Sequence, residues 1–127
     1  MTSRSILIFL SAAAIACAPP SGTRTARDVN VITRQELEAA VAQNAYDVIQ
    51  NLRPSYLRTR GTQSLDPTVS TQAWVYLDGQ RYGDIATLRS MTVDAIEEIR
   101  YLNPSLATTK YGVNHTAGAI EVTTRKR

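Results

Sequence analysis

VYLDG at residues 75–79 and GAIEVTTR at residues 118–125 are the two ends of the stretch that decides the fold. The first is an apolar run that ends in an Asp-Gly pair, a strong signal for a two-residue hairpin turn. The second is rich in β-branched residues and predicts a strand over residues 119–124. Together they indicate a sheet that contains at least one hairpin.

The residues between these ends predict short elements. Residues 80–82 can pair back on the first strand, residues 85–91 predict one helical turn, and residues 93–97 a short helix capped by Thr92. A further strand begins at Ile99 and is ended by a proline two residues past its apolar run. Residues 105–110 predict another helical turn, and the connection between the last two strands is long enough for a crossover.

The residues before this stretch predict one long helix. Thr33 and Glu36 have the spacing of a capping box, and Pro54 stops the pattern. Apolar residues recur at helical spacing between them, which predicts a helix over residues 34–52. Residues 29–32 and 55–60 are candidate short strands, and residues 61–72 have the composition of an exposed loop.

The N-terminus has the pattern of an export signal. Arg4 precedes an apolar run that is too short to span a bilayer, and the only cysteine, Cys17, follows Ala-Ile-Ala. This pattern predicts a lipoprotein signal peptide at residues 1–16, a lipid on Cys17, a flexible linker over residues 17–28 and a domain over residues 29–125. The alternatives are an ordinary signal-peptidase site after Ala16, or an uncleaved transmembrane anchor.

Composition excludes several classes of protein. The chain has 127 residues, a formal charge of +3 and 43% hydrophobic residues, which indicates one folded domain. So small a surplus of positive charge gives no nucleic-acid footprint, and nucleic acid is not an expected partner. A single cysteine allows no intrachain disulfide, and a single histidine excludes a multi-histidine metal site.

The order of these motifs resembles the plug domain of TonB-dependent outer-membrane receptors. In that family a strand that closes on Val-Asp-Gly is followed by a helix, an Ile-Glu-x-Ile-Glu-Val strand, a Tyr-Gly corner and a Gly-x-Ile-x-Ile-x-Thr strand. Here the matching residues are 75–79, 95–102, 111–112 and 118–124, and residues 31–37 are similar to the family's opening. The resemblance implies an α+β fold: a small mixed sheet packed with one long and several short helices.

The resemblance also implies a compartment and a kind of partner. We expect a free-standing, non-enzymatic lipoprotein on the outer membrane that faces the periplasm, because no barrel-length sequence follows the plug-like residues and no clear TonB box precedes them. It would bind an outer-membrane β-barrel or another envelope protein, with a possible link to transport. The alternative is a periplasmic module that binds a glycan or a metal chelate by stacking on Tyr and Trp.

Six residues are candidates for the contact with a partner or ligand: Arg53, Tyr56, Arg58, Arg60, Tyr82 and His115. The arginines with Tyr56 form the one basic cluster, which fits phosphate groups or an acidic partner but is more typical of a solvated edge. Tyrosines near turns are common at recognition surfaces, although strand aromatics more often pack. His115 lies in a loop, where a polar role without chemistry is the simpler interpretation.

No residues suggest catalysis, a cofactor or a metal. Glu97 and Glu98 are adjacent, so a regular strand would turn them to opposite sides, whereas acid-base catalysis needs two carboxylates at one bond. No serine has a histidine or lysine partner at motif spacing, and no phosphate-binding glycine loop occurs. An enzyme is therefore the least favoured class.

Overall fold

The computed structural model describes residues 28–59 and 71–126, and this part of the chain forms a mixed five-stranded sheet. The strands are β1 (Val31–Ile32), β2 (Trp74–Leu77), β3 (Gln80–Gly83), β4 (Ile96–Leu102) and β5 (Ala119–Thr124), in the order β1-β4-β5-β2-β3. Strands β2 and β5 pair in parallel, and the other neighbours are antiparallel. The predicted α+β class is confirmed, although the last two strands are antiparallel neighbours despite the long connection between them.

In the described residues, three α-helices and three 3-10 turns accompany the sheet. The helices are α1 (Arg34–Ala39), α2 (Ala45–Leu52) and α3 (Pro104–Tyr111), and the turns are Pro54–Leu57, Ile85–Ser90 and Val93–Ala95. α1, α2 and the first two turns cover one face of the sheet, while α3 lies on the other. The helical turns predicted near residues 85–91 and 105–110 are confirmed.

The single helix predicted over residues 34–52 is wrong. The chain leaves the helix at Ala40, whose backbone is extended, and re-enters it at Ala45. Residues 43–45 pair instead with residues 91–93 through an isolated antiparallel bridge and two backbone hydrogen bonds of 2.9 and 3.3 Å. This tertiary pairing overrides a continuous apolar period.

Two other predicted elements differ in type. The strand expected over residues 55–60 is the turn Pro54–Leu57, which begins at a proline and draws one aromatic ring into the core. The helix expected over residues 93–97 ends at Ala95, and Thr92 makes no side-chain cap. The loop expected over residues 61–72 lies outside the described residues except for its last two.

The apolar side chains form one large cluster and one small one. The large cluster lies between the sheet and α1, α2 and the turns, with Ile32, Leu37, Ile49, Leu88, Ile99 and Ile120 among its fully buried members. The small one lies between the sheet and α3, and it contains Tyr76, Leu102, Ala107 and Ala119 with Trp74 and Tyr111 partly buried against it. We call it the second-face cluster.

A β-bulge at Glu97 changes which way the neighbouring side chains point. Ile96 pairs with Thr124 and Glu98 with Thr123, so Glu97 is the extra residue. Ile96 and Ile99 both enter the large cluster although they are three positions apart. The strand is therefore irregular at Glu97, so the simple alternation expected for Glu97 and Glu98 does not apply there.

Two glycines of this sheet, Gly79 and Gly118, occupy positions with positive φ. Asp78 and Gly79 both have positive φ, +48° and +84°, as a type I′ hairpin turn requires, which confirms the predicted turn. Gly118 has a φ of +85°, and a Cβ there would lie 2.3 Å from the carbonyl oxygen of Leu102. Only glycine lets β5 start this close to the end of β4.

Candidate interaction surface

The structure distributes the candidate contact residues over three places. Arg53 and Arg58 flank the turn Pro54–Leu57, beside β1 at one edge of the sheet. Tyr82 lies in β3 at the opposite edge, and His115 lies in the loop between α3 and β5. Cys17 and Arg60 lie outside the described residues. The candidates in the described part therefore do not converge on one surface.

The candidate contact residue Tyr56 is part of the core. Tyr56 is 3% exposed, and its ring stacks on the Tyr101 ring with 4.9 Å between the centroids. Its hydroxyl donates to the carbonyl oxygen of Val29 at 2.6 Å. Burial raises the pKa of the Tyr56 hydroxyl to about 12, against the opposing effect of the positive charge on Arg53. Tyr56 fixes the segment before β1 to the body of the domain.

His115 is also buried, with 6% exposure, and its hydrogen bonds fix its tautomer. Its Nδ1 lies 2.8 Å from the carbonyl oxygen of Gly112 and 3.1 Å from that of Val113. Carbonyls only accept, so Nδ1 carries the proton and Nε2 accepts from the Tyr76 hydroxyl at 2.8 Å. Both nitrogens are used inside the domain, and His115 is not available to a partner.

The Glu121 carboxylate anchors α3 to the sheet. Its Oε1 accepts hydrogen bonds from both the Tyr111 hydroxyl and the Lys110 ammonium. The Tyr111 ring stacks on Tyr76 at 3.6 Å between centroids. Burial raises the pKa of Tyr111, and the hydrogen bond to Glu121 raises it further; burial also raises the pKa of Tyr76. Both phenols therefore stay neutral donors over the physiological range of pH.

Most aromatic rings in the described part already have a partner on a ring face. Arg81 lies over Trp74 at 3.7 Å and Arg89 over Tyr46 at 4.4 Å, in addition to the stacked pairs Tyr56–Tyr101 and Tyr76–Tyr111. A glycan or chelate that stacks on Trp or Tyr would have to displace these contacts. The geometry therefore does not favour the ligand-binding alternative.

Tyr82 is the aromatic side chain that the described structure leaves open, with 51% exposure. The register of β2 and β3 pairs Tyr76 with Arg81 and Val75 with Gly83, so Tyr82 is the extra residue of a bulge. Bulges on edge strands redirect a side chain and interrupt further strand pairing. Tyr82 thus presents a ring, rather than a strand edge, to the surroundings.

Arg53 and Arg58 differ in their surroundings. Arg58 is exposed, whereas the Arg53 side chain is 24% exposed and binds within the domain. Its Nη1 donates to the carbonyl oxygen of Leu52 at 3.0 Å and its Nη2 to Glu36 Oε1 at 3.3 Å. Its Nε is buried and has no hydrogen-bond partner among the described residues. Arg53 borders a cleft of about 770 Å³ beside β1.

Three structurally important residues were missed by the sequence interpretation. Arg34 donates to the carbonyl oxygens of Val93 and Ile96 at 3.0 and 2.7 Å, which lie before the part of β4 that pairs with β1. Tyr76 and Glu121 organise the second-face cluster. The apolar and β-branched residues of β2 and β5 indicated strands, but no local pattern indicated that α3 would pack on the second face of the sheet.

The described residues contain no group of three or more His, Cys, Asp or Glu side chains that could hold a metal ion. None of the helices in the same part has the length and apolar character needed to cross a bilayer. What this part of the chain offers is a folded surface with exposed residues at its edges and a cleft beside β1.

The family model of the TonB-dependent receptor plug domain matches residues 22–119. This is more than three quarters of the chain. The chain belongs to the TonB-dependent receptor plug domain family. Among curated proteins, none matches it.

The plug family motifs have clear structural positions in this chain. The residues that correspond to the family's Val-Asp-Gly are Leu77-Asp78-Gly79 at the β2–β3 turn, and Asp78 also binds Thr124 at the end of β5. The Tyr-Gly corner is the end of α3, where Tyr111 reaches Glu121. The motifs that support the family assignment are therefore residues that hold the sheet and α3 together.

Membership in the plug family also indicates the general role of the chain. Plug domains belong to transport receptors of the outer membrane rather than to enzymes, and they contact the barrel and TonB. The chain accordingly has a receptor-related role in the cell envelope.

Proposed function

We propose that this protein is a non-enzymatic lipoprotein of the outer membrane, anchored through Cys17 and facing the periplasm. Its plug domain binds an outer-membrane β-barrel or another envelope protein, in a step linked to envelope transport. The observation that carries the proposal is the plug family match over residues 22–119. The export pattern before Cys17 supports the compartment.

The exposed residues supply the contact in this proposal. Arg58 and Tyr82 are exposed at opposite edges of the sheet, and Tyr and Arg side chains carry a large share of the binding energy at protein interfaces. The cores on both faces leave these side chains free without any rearrangement of the fold. A partner that encloses the domain would reach both edges at once.

Capture of the partner tests the proposal. The full chain with a photo-crosslinker at residue 80 is expected to capture an outer-membrane protein from detergent-solubilised envelopes, identified by mass spectrometry. Tyr82→Ala is expected to reduce the capture, whereas Val41→Ala, which shortens a fully exposed apolar side chain in another segment, leaves it unchanged. Recovery of no envelope protein above background would count against the proposal.

A further inference from the structure

The loop between α3 and β5 presents an apolar side chain to the surroundings. Val113 is 76% exposed. The residues on either side of it, Gly112 and Asn114, both have positive φ, +91° and +73°, so left-handed backbone flanks Val113 on both sides. We call residues 112–114 the Val113 tip.

Three successive carbonyl groups fix this tip to the domain. The Nδ1 of the buried His115 donates to the carbonyl oxygens of Gly112 and Val113 at 2.8 and 3.1 Å. The indole N–H of Trp74 donates to the carbonyl oxygen of Asn114 at 3.3 Å. The exposure of Val113 is therefore imposed by the fold, and an apolar partner would gain contact area without first ordering the loop.

The strand directions put the tip at the end of the sheet where the described chain begins. β1, β2 and β5 run in one direction and β4 in the other, so the residues that precede those three strands and follow β4 meet at one end. Tyr101 connects these residues. Its backbone N–H donates to the carbonyl oxygen of Asn30 at 2.8 Å and its hydroxyl to that of Ala117 at 2.9 Å. We call this the entry end, and Val29 at the same end is 68% exposed.

The surface around the tip carries little charge. Residues 103–118 contain no acidic side chain, and their one formally charged residue, Lys110, is bound to Glu121. Asp28 and Asp84, which also lie at the entry end, each accept from a nearby backbone N–H. Such a surface loses little hydration free energy when it meets a less polar medium. Charged residues adjoin the strands at the opposite end of the sheet: Asp78, Asp94, Arg125 and Lys126.

Positive charges lie beside this uncharged surface. The Arg81 guanidinium lies over the Trp74 ring at 3.7 Å. Residues 17–27 contain Arg24 and Arg27 and no acidic residue. Basic side chains attract anionic phospholipid headgroups, and tryptophan is common at the level of the headgroups. An apolar tip with basic residues beside it therefore fits a phospholipid surface.

The chain before the entry end brings that surface close. Eleven residues, 17–27, precede Asp28, and fully extended they span at most about 40 Å. A lipid on Cys17 would therefore keep the entry end within that distance of the bilayer. Confinement of this kind raises the effective concentration of lipid at the tip, so that a weak contact is enough.

We propose that the entry end lies on the phospholipid bilayer that holds the Cys17 lipid, with the Val113 tip among the headgroups. The turn at Asp78, at the opposite end of the sheet, then faces away from the membrane. This inference rests on the lipid anchor of the proposed function, and it adds the surface that meets the membrane and the orientation of the domain on it.

The only tryptophan of the chain, Trp74, is hydrogen-bonded to the tip and gives the test. The lipidated protein, purified from membranes, is reconstituted into vesicles of phosphatidylethanolamine and phosphatidylglycerol, with or without bromine on the acyl chains. Bromine quenches indole fluorescence at short range, so the emission is expected to be about twofold lower in the brominated vesicles. Val113→Asp puts a charge at the tip and should lose most of this quenching, whereas Val41→Asp puts the same charge on another exposed valine and should keep it.

The vesicles contain no second protein, so quenching reports contact with lipid alone. Equal emission in the two kinds of vesicle would overturn the inference and leave the tip to a protein partner. Equal quenching of wild type and Val113→Asp would overturn it as well. Val113→Ser, which shortens the side chain without a charge, covers the case in which Val113→Asp does not fold and should lose part of the quenching.

The anchor and the tip are tested separately. If mass spectrometry finds Cys17 unmodified, its thiol is coupled to a maleimide lipid in the same vesicles. Quenching that needs this coupling overturns the anchor of the proposed function and supports the tip. Lipidated protein that shows no quenching overturns the tip and leaves the anchor in place.

Discussion

At the scale of single residues, a few polar side chains bind segments that are far apart in sequence. Asp78 accepts two hydrogen bonds from Thr124, from the backbone N–H at 2.8 Å and from the hydroxyl at 2.6 Å. Tyr76 donates to His115, and Glu121 accepts from α3. Each of these bonds connects a strand to a different element of the chain.

Asp78 gives the first prediction. Asp78→Ala removes both bonds to Thr124 and puts alanine at a φ of +48°, so it should lower the free energy of unfolding by about 1–2 kcal/mol. Asp78→Asn tolerates this φ and keeps one acceptor, so its effect should be smaller. Urea unfolding followed by circular dichroism measures both, and equal losses for the two variants would contradict this role.

The same residue predicts a dependence on pH. The hydrogen bonds from Thr124 lower the pKa of the Asp78 carboxyl below its ordinary value of 3.8. A lowered pKa in the folded state stabilises the protein above the unfolded-state pKa, and that stabilisation is lost as the pH falls through the folded-state value. The difference in stability between wild type and Asp78→Asn should therefore be constant above about pH 5 and shrink below about pH 4.

Tyr76 gives the third prediction. Tyr76→Phe keeps the ring that stacks on Tyr111 but leaves the buried Nε2 of His115 without its donor. The expected cost is about 1–3 kcal/mol in the free energy of unfolding. Tyr82→Phe removes the same hydroxyl from a half-exposed ring and should change stability by less than about 0.5 kcal/mol. Similar losses for both variants in chemical denaturation would count against the bond.

At the scale of elements, α1 and α2 are separate because residues 43–45 pair with residues 91–93. The side chain of Asn44 makes this break a defined helix start. Its Oδ1 accepts from the Asp47 backbone N–H at 3.0 Å, and its Nδ2 donates to the Asp47 carboxylate at 2.8 Å. The second helix thus begins at a cap and not at a random interruption.

Removal of this cap should destabilise the protein without joining the helices. Asn44→Ala is expected to cost about 1 kcal/mol, because α2 loses the acceptor at its N-terminus. Asn51→Ala, at an exposed position inside α2, should be neutral or slightly stabilising, because alanine is the better helix former. Thermal unfolding distinguishes the two, and an unchanged Asn44→Ala would show that the pairing with residues 91–93 alone sets the helix start.

At the scale of the whole molecule, both edges of the sheet are poor templates for another strand. On β1, the outward N–H of Val31 donates to the carbonyl oxygen of Asp28 at 2.9 Å. The next outward N–H, that of Thr33, donates to the Glu36 side chain at 3.1 Å. On β3, the bulge at Tyr82 interrupts the edge. Edges of this kind disfavour the addition of a strand from another chain.

The anchor proposed at Cys17 gives a prediction for the whole molecule. Cys17→Ser removes the thiol that would carry the lipid, so the protein should move from the outer-membrane fraction to the soluble periplasmic fraction. Cell fractionation and mass spectrometry of the N-terminus measure both changes. An unmodified N-terminus in the wild type, or membrane retention of Cys17→Ser, would contradict the proposed lipid anchor.

The sequence by itself determined the hairpin at Asp78, the strand that follows Gly118, the class of the fold and the family. These features depend on neighbours in the chain: an Asp-Gly turn, a run rich in β-branched residues, and the order of short motifs. The prediction of one helix over residues 34–52 was wrong because its apolar period was continuous. The helix is broken only by pairing with a residue 48 positions away, where Asn44 meets Thr92.

The tertiary structure alone decided which candidate side chains are exposed. Tyr56 and His115 lie in segments that look like polar surface, yet they are buried because Tyr101 and Tyr76 offer a ring and a hydroxyl from distant strands. Likewise, the unpaired Nε of Arg53 follows from how α1, α2 and β1 meet around it. Local patterns predict which face a residue takes, but burial and pairing depend on contacts that exist only once the chain has folded.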